Sequence, residues 1–279
     1  MPKLISLYLI DDAPDGRVSW EIHNWTGKAY RIPRNLLRES ADQPDLYKAG
    51  VYFLFGRDEN DPETSFAHIG KVDEVWKRVF QHQDKDFWTE AVVFISKGEN
   101  LNKAQVAFLV SMIYDAASAT KRCRLANSNI PRCPALARAE QAEMLKFLKN
   151  LKFLVGAMGY KIFEPLRRRS SKSSKAYHIA PARGVKAQAL ITNEGVVVTE
   201  GSEIATSSVV TLAPATVVLC ARLIKDGVIV RDGKKLKFAK SYLFSTLSTA
   251  TALVMGCPAN GRIEWKDSKG HTLRENEED

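Results

Sequence analysis

The chain lacks most of the patterns that announce a known chemistry. Its 279 residues contain no phosphate-cradling P-loop, no GxGxxG turn and no serine elbow, which sets aside the common nucleotide-binding and α/β-hydrolase readings. Cysteine is scarce: four residues (Cys123, Cys133, Cys220, Cys257), none in a CxxC pair, and the five histidines show no HxxxH or HExxH spacing. A disulfide framework and a structural zinc site are excluded on these grounds, and a reducing, cytoplasmic location is expected. Long apolar runs are also missing. The stretch 209–224 is broken by threonines, Pro214 and Arg222, and the apolar start is followed at once by Asp11 and Asp12. The start therefore reads as a first strand, and no membrane partner is expected.

Acidic residues become scarce partway along the chain. Residues 1–100 hold 13 Lys/Arg against 17 Asp/Glu, residues 101–250 hold 24 against 9, and the last 29 hold 4 against 6. The formal net charge is +9. A basic middle and C-terminal half fits a polyanionic partner, most often nucleic acid. Hydrophobic residues at 45% and charged residues at 26% are those of an ordinary globular chain, and the length suggests two domains.

Strands are expected at 4–10, 18–22, 29–32, 50–55, 66–69 and 91–95, with a short helix at 35–39. Asp73 reads as the N-cap of a helix running to about Gln83. A longer helix spans 102–117, opened by Asn102 and Gln105 in capping-box spacing; Val106, Leu109, Val110, Ile113 and Ala117 form its apolar face. Another spans 138–158. The run RRRSSKSSK at 167–175 has nothing to bury and reads as a linker, with Arg167, Arg168, Arg169, Lys172 and Lys175 as candidate phosphate contacts. Beyond it come strands at 177–179, 185–192 and 196–199, helices at 214–226 and 245–255, a closing hairpin from 262–266 and 271–273, and a frayed acidic tail. The fold class is α+β. Domains are expected at 1–48 (strand-rich extension), 49–166, 177–273 (a small mixed domain), with a linker at 167–176 and a tail at 274–279.

One constellation concentrates chemistry. Gly50-Val51-Tyr52 lies on a strand, His68-Ile69-Gly70 ends the next, and Arg78 and His82 follow at one-turn helical spacing. An arginine that neutralises charge on phosphorus, with a phenol or imidazole that orients and deprotonates water, suits phosphodiester chemistry. This ordered set resembles the GIY-YIG endonucleases. Leu46–Gly56, Asp86-Phe87-Trp88, Leu101-Asn102-Lys103-Ala104, Asn127–Pro131 and Gly159–Pro165 are similar to one bacterial subgroup of them. That subgroup carries a strand-rich N-terminal segment with Asn24-Trp25-Thr26-Gly27. It also carries an uncharacterised small C-terminal domain resembled by Lys186-Ala187, Gly201-Ser202 and Ala259–Asp267.

The resemblance implies a three-stranded antiparallel sheet flanked by helices, a single divalent ion (Mg²⁺ or Mn²⁺) and DNA as partner, with a homodimer or a protein partner through the C-terminal domain. It also implies roles. Tyr52 positions or deprotonates the attacking water, Arg78 contacts the scissile phosphate, and His82 is a second polar contact. His68 stands where the family has its second tyrosine, Lys71 contacts phosphate and Asn127 adds a polar group. The family's metal-binding glutamate falls at Val110, which cannot coordinate a cation that requires oxygen. Asp115 is about 140° around the helix from it; Glu90 and Glu99 precede the helix. Three readings stand: a metal-dependent DNA endonuclease with a carboxylate from elsewhere, a catalytically degenerate relative that binds nucleic acid or serves in assembly, or a protein-interaction scaffold whose function lies in the C-terminal domain.

Overall fold

Alternation of side chains builds the first sheet. In the computed structural model, residues 2–58, 61–72, 75–98, 101–120, 122–165, 176–179, 184–205, 212–233 and 235–278 are described. Two compact units divide the chain, Met1–Pro165 and Leu166–Asp279. The first contains β1 (Ile5–Leu9), β2 (Val18–Ile22), β3 (Gly27–Pro33), β4 (Gly50–Asp58), β5 (Asp61–Val72), β6 (Glu90–Ser96) and β7 (Arg124–Leu125), in spatial order β1-β2-β3-β6-β4-β5-β7. The antiparallel trio β6-β4-β5 therefore stands inside a sheet of seven. Residues 1–48 supply three of its strands, with β3 paired to β6 from Gly27↔Ser96 to Pro33↔Glu90.

On β4, Val51, Phe53 and Phe55 enter one apolar layer while Tyr52 and Leu54 enter the other, as a period of two requires. Helices α2 (Lys103–Thr120) and α3 (Arg138–Ala157) cover the first layer. The second is covered by α1 (Val75–Phe80) and by short 3₁₀ turns at Arg34–Leu36, Glu39–Asp42 and Pro44–Tyr47. Asn102 and Gln105 exchange backbone-to-side-chain hydrogen bonds at 2.9 and 3.1 Å, closing the capping box that opens α2. Every residue from Gln105 to Ser111 is buried, so these two turns of α2 are enclosed on all sides rather than on one face. Leu109 and Val110 each contribute about 1.5–3 kcal/mol by leaving water.

Several expected elements differ. The helix expected at 35–39 is two 3₁₀ turns, a tight geometry that suits segments too short for an α-helical repeat. The helix expected through Gln83 ends at Phe80. The following Gln81–Asp86 offers no apolar side chain to bury, and the His82 N–H closes a tighter bond to the Val79 carbonyl at 2.9 Å. Its proposed N-cap, Asp73, lies outside the described residues, as do Glu99 and the basic run 167–175 with Arg167, Arg168, Arg169, Lys172 and Lys175.

The second unit holds a four-stranded sheet of β8 (Ala176–Ile179), β9 (Ala187–Thr192), β10 (Gly195–Val198) and β14 (Tyr242–Phe244), in order β14-β10-β9-β8. A smaller sheet joins β11 (Glu203–Ile204), β12 (Ile229–Asp232) and β13 (Lys235–Phe238), in order β11-β13-β12. Helix α4 (Pro214–Lys225) starts on a proline and α5 (Leu247–Met255) stops at Gly256, whose φ of 65° places it in the left-handed region. Trp265 is fully buried and donates its indole N–H to Thr251 at 2.9 Å.

The closing hairpin is absent among the described residues. Its place is taken by α6 (Gly261–Glu264) and α7 (Leu273–Glu278), with one backbone bridge, Lys266↔Thr272, between the proposed strands. The acidic tail is thus helical rather than frayed. Thr272 and Glu275 form the reciprocal cap that starts it, the Thr272 N–H donating to the carboxylate at 2.7 Å, so the T-x-x-E spacing was a helix signal. The molecule is α+β, with several antiparallel sheets. No helix among the described residues is long and apolar enough to cross a membrane.

Candidate functional site

Adjacent strands and one turn bring four of the sequence candidates together. Tyr52 on β4 lies opposite Gly70 on β5, and His68 lies opposite Leu54, so both rings leave the same face of the sheet. A Cβ on Gly70 would collide with the Tyr52 ring; the glycine is required by that close approach. His82 reaches the ring from the turn after α1. Its Nε2 stands 3.2 Å from the Tyr52 hydroxyl in a buried hydrogen bond. The His68 ring centre lies 5.9 Å from Tyr52 and 5.0 Å from His82.

Neighbours that were not site candidates in the sequence hold this group. Trp88, fully buried, donates its indole N–H to the His82 carbonyl at 2.8 Å. The His68 ring donates to the Ala126 carbonyl, which leaves its other nitrogen as an acceptor. Arg78 is exposed, bonds Gln81 at 2.7 Å and reaches the Tyr52 phenol. Only the Arg78–Gln81 contact had a local signal, its three-residue spacing.

Burial sets the charge state. It lowers His82 to about 4, with the His68, Lys85 and Arg78 charges acting in the same direction. His68 is also lowered, chiefly by burial, although its bond to Ala126 opposes this. Burial raises the Tyr52 phenol, while the Arg78 charge and hydrogen bond oppose the shift. At neutral pH the site is therefore a phenol and two neutral imidazoles with one guanidinium at the mouth. The His82 Nδ1 is buried without a hydrogen-bond partner among the described residues. Tyr52 and His82 thus form a neutral acceptor–donor pair able to orient a water, and Arg78 can neutralise a phosphoryl oxygen.

Other candidates lie elsewhere. Lys71 pairs with Val51, so it leaves the opposite face of the sheet from Tyr52 and is not brought together with it. Asn127 is consumed by the backbone: it accepts the Ile69 N–H at 3.1 Å and donates to the Ile69 carbonyl at 2.7 Å. Its amide extends the β5–β7 ladder along the strand that carries His68.

Mg²⁺ and Mn²⁺ prefer oxygen donors. Val110, 2% exposed, packs in the layer beneath α2, on the opposite side of the sheet from the Tyr52 phenol. Glu90 pairs with Phe55 and is hydrogen-bonded to Tyr160, again in that other layer. Asp115 is exposed on α2. Among the described residues no group of three or more His, Cys, Asp or Glu could hold an ion. The described donors around Tyr52, a phenol, two imidazoles and a guanidinium, do not fit a hard divalent cation.

Residues 177–277 match the model of a family described as a domain of unknown function, DUF4357. No curated protein and no solved structure matches the chain.

Proposed function

We propose that residues 1–165 form a GIY-YIG-like unit that engages the phosphodiester backbone of DNA, with metal-dependent cleavage severely weakened or lost. The observation that carries this reading is the buried Tyr52–His82 hydrogen bond with Arg78 against the phenol. Arg78 supplies the phosphate-facing charge, Tyr52 the polar contact to oxygen, and His82 holds the phenol in place. The basic segment from 101 to 250 adds contacts along the backbone, including the run 167–175. A cytoplasmic location accompanies the proposal.

A salt-dependent gel-shift assay on duplex DNA tests the reading. Wild type should bind with a steep negative salt slope, and Arg78→Ala should weaken binding and flatten that slope by about one unit. DNA binding that is absent, or indifferent to both salt and Arg78, overturns it.

Cleavage is the second reading, favoured by one observation: His82 is neutral and hydrogen-bonded to the phenol, as a base would be. A plasmid-nicking assay with Mg²⁺ or Mn²⁺ decides between them. Nicking by wild type that Arg78→Ala abolishes establishes an endonuclease and overturns the degenerate reading.

A further inference from the structure

The four-stranded sheet of the second unit turns Tyr177, Ile179, Ala187, Ala189, Val196 and Val198 into the core. Residues between them point the other way. Register aligns four positions across the strands. Gln188 lies opposite His178, His178 bridges to Lys266, and Thr199 follows the Val198↔Ala189 pair with its N–H on the Gln188 carbonyl at 2.9 Å. This row lines a cleft of about 850 Å³, within the range of small-molecule sites. It crosses three strand spacings, about 14 Å, the span of a nucleotide rather than of one phosphate.

Donors are in surplus there. The ammonium groups of Lys186 and Lys266, both on the lining, make no hydrogen bond or ion pair among the described residues. Nor does the hydroxyl of Thr199, also on the lining, make a hydrogen bond among the described residues. Two of the lining carboxylates are already engaged. Glu203 takes the Lys235 ammonium through both oxygens at 2.9 Å and the Lys186 N–H at 3.2 Å. Asp267 takes the backbone N–H groups of Lys269 at 2.8 Å and His271 at 3.0 Å, and the Asn276 amide at 3.1 Å. Glu200 is the unengaged acid, beside Thr199 at the far end of the row from Lys266. Three segments singled out in the sequence, Lys186-Ala187, Gly201-Ser202 and Lys266-Asp267, meet at this one cleft.

We propose that this cleft binds a phosphorylated ligand of nucleotide size, its phosphoryl oxygens on Lys186 and Lys266 and its hydroxyl- or amine-bearing end against Thr199 and Glu200. Charge-assisted bonds to phosphoryl oxygen supply the affinity, and the neutral and acidic end supplies orientation. The same chemistry is offered by a free nucleotide and by a nucleotide unit of a single strand.

Two-dimensional ¹H–¹⁵N spectra of the full chain, titrated with ATP and separately with a short oligothymidylate, test the cleft and its ligand source. The amides of Gln188, Thr199, Gly201 and Gly270 should shift. A response to ATP identifies the free nucleotide; a response to the oligonucleotide alone identifies the strand. The exposed pair Lys186→Ala/Lys266→Ala should weaken the response about tenfold to a hundredfold with an unchanged thermal midpoint. Thr199→Val should weaken it less. Amides that respond to neither probe, or that respond equally in the double variant, overturn the proposal.

Discussion

The Tyr52 hydroxyl and the His82 Nε2 meet at 3.2 Å across thirty residues of chain, on the sheet face opposite α2 and α3. Two hydrogen bonds from other side chains hold His82 there: Trp88 grips its carbonyl and Tyr52 grips its ring, while Nδ1 has no partner among the described residues. Tyr52→Phe should therefore leave Nε2 unpartnered as well, at a cost of about 1–2 kcal/mol. His82→Phe should cost a similar amount. In a double-mutant cycle followed by urea unfolding, the pair should show a coupling of about 1 kcal/mol. Strict additivity would mean that the two groups do not touch in solution.

Gly70 is held to glycine by the same tyrosine. A Cβ there enters the Tyr52 ring, so Gly70→Ala should destabilise by about 1–3 kcal/mol through overpacking. In a Tyr52→Ala background the ring is gone and the added methyl should cost less than about 1 kcal/mol. Denaturant midpoints of the four proteins check this, and equal penalties in both backgrounds would remove the proposed collision.

The pH dependence of stability has a defined window. His82 titrates at about 4 in the folded chain against an ordinary 6.5, so the unfolded chain takes up its proton first as pH falls. Stability is full above about 6.5 and declines from there to about 4. His68, also lowered by burial, acts in the same sense. Asp45 acts later. Burial opposes its ionisation, but Tyr30, Lys48 and Lys28 hold it at about 2, so its contribution is lost only below 3.8. Thermal midpoints between pH 7 and 4 should fall in wild type and fall less in His82→Gln. Parallel curves would show that His82 is not the titrating group.

What the sequence could disclose depended on how local the cause was. Alternation placed β1 to β6, and the Asn102–Gln105 spacing placed the start of α2, because each rests on neighbours in the chain. The grouping of Tyr52, His68, Arg78 and His82 was legible as an ordered pattern. Lys71, adjacent to Gly70 in sequence, falls on the face away from Tyr52 because neighbours on a strand point to opposite sides. His82 was assigned to a helix that ends two residues earlier, where no apolar side chain continues the buried face. Trp88 stood in a segment singled out by resemblance, but its contact with His82 and that of the Ala126 carbonyl with His68 come only through the fold. In the second unit the Thr272–Glu275 cap was present in the sequence, but the Asp-Ser-Lys-Gly turn before it suggested a hairpin.

The position of Val110 changes what its replacement can do. By resemblance a glutamate belongs there, so Val110→Glu would be the natural way to restore metal-dependent nicking. Its side chain, however, lies among Leu109, Ile113 and the sheet residues of the layer away from Tyr52. A carboxylate at that point gains no cation and no donor. It must remain protonated or pull α2 off the sheet, and burying an unpaired acid in a packed core costs several kcal/mol. We expect Val110→Glu to lower the thermal midpoint markedly, by more than the isosteric but polar Val110→Thr, and to gain no nicking with Mg²⁺ or Mn²⁺. Nicking gained by Val110→Glu at near-wild-type stability would mean that α2 presents this position to the phenol, and would reverse the layer assignment.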